Sequence, residues 1–243
     1  MIDLERNKND FIELIKGVER LSEEQSNYII YFLNENGFFT APASTNYHSC
    51  FDGGLCWHSL CVYNRLLQLA GNNYDLDTII IISLLHDIDK MFTYQRTAKN
   101  EKVYSENGSK YDELGRFDWV SKLSWARKPV ENRFVFGTHG QNCAYLVSKL
   151  VPLTDDEYSA IVNHMGGMEE GAVPSVVLSE VFNRNKLALL LHTADMLATY
   201  VNETKNPEDV EYIEAEQDTE NEKQDIENES VNEQDNQGTT TES

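Results

Sequence analysis

The stretch LDTIIIISLLHDID, from Leu76 to Asp89, constrains the fold more than any other part of the sequence. Four consecutive isoleucines followed by Leu84 and Leu85 leave no polar face, so the element formed here must be enclosed by other parts of the chain. β-branched residues favour a strand. The stretch is longer than a typical strand, however, and Asp75 or Asp77 can cap a helix, so we expect a buried helix. It delivers His86 and Asp87 at its end. A buried, ionised carboxylate costs several kcal/mol unless a cation compensates it. A metal ion can do so at Asp87, and so can Lys90, three residues on along the same helical face.

Helical spacing of Phe11, Ile12, Leu14, Ile15 and Val18 places a first helix at about residues 8–19. Ser22 and Gln25 have capping-box spacing, so a second helix is expected to run to Asn36 and stop at Gly37. Residues 38–54 are rich in turn formers and read as a loop, followed by a helix from Leu55 to Ala70 that Gly71 ends. Residues 92–136 break the helical pattern. Imperfect alternation and Asn107-Gly108 suggest a small hairpin, with a loop through RFDWVSKLSWARKPVENRFVFG after it. Helices resume at His139–Leu150, at Thr154–His164 and at Asn185–Asn202. The fold class expected is mainly α: a helical bundle over residues 1–202 with a β-containing insertion at about 92–136 and a disordered acidic tail at 203–243.

The net charge of −21 belongs mostly to that tail, where fifteen acids face two bases. Too little apolar surface lies there to offset the entropy of ordering, and a protein partner is the function open to it. The rest of the chain is acidic too, which argues against extended nucleic-acid binding. No apolar run is long enough to span a membrane, and the charged N-terminal stretch lacks a signal-peptide core, so the expected location is cytoplasmic. Cys50, Cys56, Cys61 and Cys143 form no metal-knuckle spacing and read as free thiols.

All six histidines, His48, His58, His86, His139, His164 and His192, fall in or beside expected helices or a helix-entry loop. Imidazole with carboxylate suits divalent transition metals, yet each residue taken singly is as readily a helix cap or a hydrogen-bonded core residue. As a set they resemble the HD-domain metal-dependent phosphohydrolases. FDGGLCWHS is similar to that superfamily's first-His motif, SLLHDIDK to its His-Asp doublet, and LLLHTADMLATY to its closing Asp helix. FGTHGQNCAYLV and AIVNHMGG are similar to the two further His motifs of members that bind two ions, and the likeness extends from about Ala41 to Tyr200.

The resemblance implies His58, His86, Asp87 and Asp195 as ligands of one ion, with His139 and His164 holding a second across a bridging Asp87. The ions implied are divalent transition metals, manganese or iron. Asp87, Lys90 and His48 are the candidate catalytic residues, and Lys90, Arg96 and His48 the candidate substrate contacts. His192, one turn before Asp195, is expected to hydrogen-bond a ligand. Two departures stand out. Lys90 matches a Lys that follows the doublet in several two-ion members and faces substrate phosphate there, where other HD nucleotidases carry a catalytic Glu, and Gln141 stands where many close relatives carry Glu. The implied activity is hydrolysis of a small phosphorylated substrate, a nucleotide phosphoester or phosphoanhydride. The alternatives are a cyclic-nucleotide or oligonucleotide phosphodiesterase and, from another class, a non-catalytic metal or nucleotide sensor with a partner-binding tail.

Overall fold

The computed structural model describes residues 2–105, 110, 116–168, 171 and 173–203. Along the chain they form α1 (Leu4–Lys16), α2 (Glu23–Glu35), α3 (Gly54–Ala70), α4 (Leu76–Leu85) and the single turn α5 (Lys90–Thr93). Strands β1 (Tyr94–Tyr104) and β2 (Phe117–Arg127) follow, then α6 (His139–Leu150), α7 (Asp155–Val162), α8 (Ser175–Arg184) and α9 (Lys186–Leu197). The architecture is mainly α with one antiparallel hairpin, as expected. None of the described helices is long and apolar enough to cross a membrane.

The isoleucine run is helical. Ile79 to Leu85 are all buried, with α3 on one side and α1 and α7 on others. Enclosure of this kind lets tertiary packing override strand propensity. α3 carries a second enclosed segment, Gly54 to Val62, and packs against both α4 and α9. Asp3 accepts from the Arg6 amide, so α1 begins earlier than apolar periodicity alone suggests. The capping box expected from Ser22 and Gln25 is formed.

Three features differ from the sequence reading. The stretch read as a loop after the hairpin contains β2, whose pairing with β1 runs from Tyr94↔Arg127 to Tyr104↔Phe117. A tight turn at residues 107 and 108 would pair residue 104 with 111, so this register does not centre on it; Asn107 and Gly108 themselves lie outside the described residues. Helix α8 was not expected, and none of its residues is buried. The final helix becomes a π-turn over Ala198–Asn202. Of the expected 203–243 tail only Glu203 is among the described residues, and it is buried.

Glu157 ties the bundle together at the start of α7. It completes a capping box with Thr154 and accepts from Arg20 Nη2 at 2.8 Å and Thr78 Oγ1 at 2.7 Å. Burial pushes its carboxyl up, but the Thr154 amide, the Thr78 hydroxyl and Arg20 outweigh that and hold it below the ordinary glutamate value. A depressed folded-state pKa means stability present in full above pH about 4.5 and lost as pH falls through the folded value. In urea unfolding from pH 6 to pH 3, the native chain should therefore lose more stability than Glu157→Gln. Parallel declines would contradict this.

Candidate metal centre

Five helical elements bring one residue set together. His58 comes from the first half of α3. His86 and Asp87 leave the end of α4, His139 opens α6, His164 follows α7, and Asp195 lies in α9. The Asp87 carboxylate is the hub. Its Oδ2 lies 3.1 Å from His58 Nε2 and 3.4 Å from His86 Nε2. Its Oδ1 lies 2.7 Å from His139 Nε2 and 3.4 Å from His164 Nε2. Asp195 Oδ1 approaches His58 Nε2 at 3.3 Å, on the Oδ2 side.

Every imidazole is aimed by its other nitrogen. His86 donates Nδ1–H to the Ser83 carbonyl at 2.8 Å, and His164 donates Nδ1–H to the Ile161 carbonyl at 2.7 Å. Each acceptor belongs to the last turn of the helix just ended, where carbonyls lack intrahelical partners. His58 Nδ1 lies 2.6 Å from Glu203 Oε1, and His139 Nδ1 lies 2.7 Å from Asp89 Oδ1. A neutral ring that donates from Nδ1 presents a bare lone pair at Nε2. His86 Nε2 therefore faces a carboxylate oxygen and, at 3.2 Å, His58 Nε2. His164 Nε2 is buried without a hydrogen-bond partner and faces Asp87 Oδ1. Lone pairs turned on an anion repel it unless a cation lies between. Ligands of one ion with bonds of about 2.1 Å stand about 3.0–3.4 Å apart, which is the spacing found around Oδ2. These buried His and Asp side chains can hold a metal ion.

Burial pushes His86 down to about 3, so it is neutral near pH 7. Burial also acts against the charged forms of His58 and His139, but their acidic neighbours outweigh it. Glu203, Asp195 and Asp87 hold His58 well above the ordinary imidazole value; Cys143, Asp89 and Asp87 do the same for His139. Asp87 is held well below the usual carboxylate range: burial opposes this, while Lys90, His86, His139 and His164 overcome it.

The members of the centre differ in exposure. His58 and His164 side chains are fully buried, whereas His139 is 22% exposed and Asp195 and Lys90 are each 14% exposed. Lys90 Nζ lies 2.5 Å from Asp87 Oδ2. His48 sits over His58 with ring centroids 5.2 Å apart, and both its ring nitrogens are buried without partners. Burial, then His58 and Lys90, push it down to about 4, so the neutral ring can donate one hydrogen bond and accept another. Arg96 pairs with Asp52 and covers the Trp125 ring, whose Nε1 also donates to Asp52 at 2.8 Å. Those contacts fasten the base of the hairpin to the loop before α3. His192 donates Nδ1–H to the His164 carbonyl at 2.6 Å, a ligand-bracing contact of the kind the sequence suggested. Gln141 is used as the capping-box partner of Thr138.

Two carboxylates escaped the sequence reading. Asp89 lies two residues beyond Asp87 in the same HDID run, a signal that was available. Glu203 sits among many acids and carried none. Asn142 was missed as well: its Oδ1 accepts from the Phe136 and Gly137 amides, and its Nδ2 donates to Asp89 Oδ2 at 3.3 Å, which fixes the approach to His139.

The sequence matches no family model, and no curated protein or solved structure matches it.

Proposed function

We propose that the chain is a metal-dependent phosphohydrolase of the HD superfamily that uses two divalent transition-metal ions and acts on a nucleotide. One observation carries this reading: the two oxygens of a single buried carboxylate, Asp87, face two separate pairs of imidazole nitrogens. His58, His86 and Asp195 would hold one ion with Oδ2, and His139 and His164 the other with Oδ1. Such a pair supplies Lewis acidity and an activated water for in-line displacement at phosphorus. Manganese and iron both accept this mixture of nitrogen and oxygen donors.

The remaining roles fall to the chain's own side chains. Lys90, at the accessible edge, offers an ammonium to phosphoryl oxygens as negative charge grows on them. His48, whose ring lies over His58, contributes a neutral ring to the substrate. His139 is the most exposed of the four imidazoles that face Asp87, so it is the one nearest to solvent and to an arriving substrate. Support for a nucleotide comes from the superfamily resemblance, since these side chains recognise phosphate and leave the base open.

Purified protein with manganese, incubated with mono-, tri-, cyclic and dinucleotides, should release products that chromatography assigns to one bond type. Products from cyclic or dinucleotides alone would make it a phosphodiesterase. No turnover with any of several divalent ions would overturn the hydrolase reading and favour the sensor. His48→Ala should keep its metal content and lose on the order of 10²-fold in kcat/KM. An unchanged rate would remove His48 from the site.

A further inference from the structure

We propose that Glu203 is a positioning residue of the metal centre: one carboxylate fixes both the His58 imidazole and the loop that carries His48. The inference rests on the metal-centre reading above. Glu203 Oε1 lies 2.6 Å from His58 Nδ1, and its Oε2 accepts from Ser49 Oγ at 2.6 Å. The contacts bridge 145 and 154 residues of sequence. Both ends are buried, so neither interaction competes with water.

Three independent features aim Glu203 at this place. The π-turn over Ala198–Asn202 widens the end of α9, and the Glu203 amide closes it on the Ala198 carbonyl at 3.0 Å. π-turns of this sort concentrate at functional sites. Asn202, the residue before, accepts from Arg65 Nε at 2.6 Å. His58 and Arg65 are seven residues apart on α3, two turns along one face, so a single helix grips two consecutive residues of the C-terminal segment. Ser49 supplies the third feature. Among the described residues it is the non-glycine with positive φ, at 44°. Strain of this kind persists where the surroundings over-determine the backbone. Here the Ser49 hydroxyl is held by Glu203 and its carbonyl accepts from the Ala43 amide at 3.1 Å. Gly54 is part of the same construction, because a Cβ there would lie 2.1 Å from the Ser49 carbonyl oxygen.

Two of the four ligand imidazoles are held by nearby carbonyls on their own helices. His58 instead depends on a carboxylate from the far end of the fold. Glu203 thereby keeps the proton on Nδ1 and the lone pair of Nε2 turned to the metal, and it makes that ligand more basic. The same carboxylate sets how closely His48 covers the site.

The test is a titration of full-length protein with manganese ions against a competing chelator. Glu203→Gln keeps the shape and removes the charge; it should weaken the ion held by His58 about 10–100-fold and also lower the melting temperature of the metal-free protein, because His58 loses its buried anionic partner. Asn202→Ala, which removes the neighbouring anchor only, should lower that melting temperature and leave ion affinity as it is. Wild-type affinity in Glu203→Gln would overturn the proposal while leaving the metal centre intact. Absence of binding by the wild-type chain would instead overturn the metal centre itself. A measurement needing no variant is nitrogen NMR of zinc-loaded wild-type protein, where His58 should carry its proton on Nδ1. A His58 ring without that proton contradicts the role assigned to Glu203.

Discussion

Asp87→Ala should abolish nucleotide turnover and, in the metal-free protein, lower the melting temperature by roughly 6–20 °C. Loss of turnover follows because, among the described residues, Asp87 is the carboxylate that turns one oxygen to each imidazole pair. Even residues that merely brace a ligand are worth 10–100-fold in metal affinity, so removing the shared ligand should exceed that. Loss of stability follows from Lys90. Its ammonium is 2.5 Å from Asp87 and largely buried, and removing one partner of a buried pair costs about 3–5 kcal/mol. In a chain of this size each kcal/mol corresponds to about 2–4 °C. Adding Lys90→Met removes the orphaned charge and should recover part of the lost stability without recovering turnover. Calorimetry of the metal-free variants beside product chromatography separates the two effects. Unchanged activity in Asp87→Ala would sink the site assignment, and an unchanged melting temperature would mean the ion pair contributes nothing.

The second large effect is expected from Gly140→Ala. Ordinarily the change favours a helix by about 1 kcal/mol. Here the new Cβ would lie 2.1 Å from the Val162 carbonyl oxygen and 2.8 Å from its carbon, backbone atoms that cannot rotate away. α6 must then lift off the end of α7. Such overpacking typically costs about 1–3 kcal/mol, enough to cancel the helical gain or exceed it. Function should suffer more than stability. Gly140 adjoins His139, and the last turn of α7 holds His164 through the Ile161 carbonyl, so the shift separates two imidazoles aimed at the same Asp87 oxygen. Misplacement by about 1 Å can cost 10²-fold in rate. We expect a loss of that order in kcat/KM and a small fall in melting temperature. A higher melting temperature with full activity would show that the two helices are not locked at Gly140.

How much of this was legible beforehand depended on whether the signal was local. The capping boxes at Ser22 and Thr154, the stop at Gly71 and the length of the isoleucine run are local, and they placed α2, α7, α3 and α4 well. The histidines and aspartates of the centre were legible as an ordered set of motifs, although no spacing could show that Asp87 turns one oxygen to each pair. β2 was hidden for a physical reason. Both faces of DWVSKLSWAR are largely exposed in the hairpin, so burial imposes no clean alternation, and the strand exists through its pairing with β1. α8, with no buried residue, left an equally faint pattern. Arg96 touches Asp52 and Trp125, which lie 44 and 29 residues away in sequence, contacts that its place just after the doublet could not show. Glu203 is the clearest case. An acid-rich stretch looks the same whether one of its carboxylates is in water or against His58, and only the closure of the chain decides.

We propose that a single carboxylate, Asp87, organises a two-ion centre, and the number of ions bound per chain decides it. Protein stripped with chelator, dialysed against manganese and passed through a desalting column should retain two ions per chain by elemental analysis, and Asp87→Ala should retain none. Retention of no ion by the wild-type protein, or of equal amounts by both proteins, would mean that Asp87 organises no such centre.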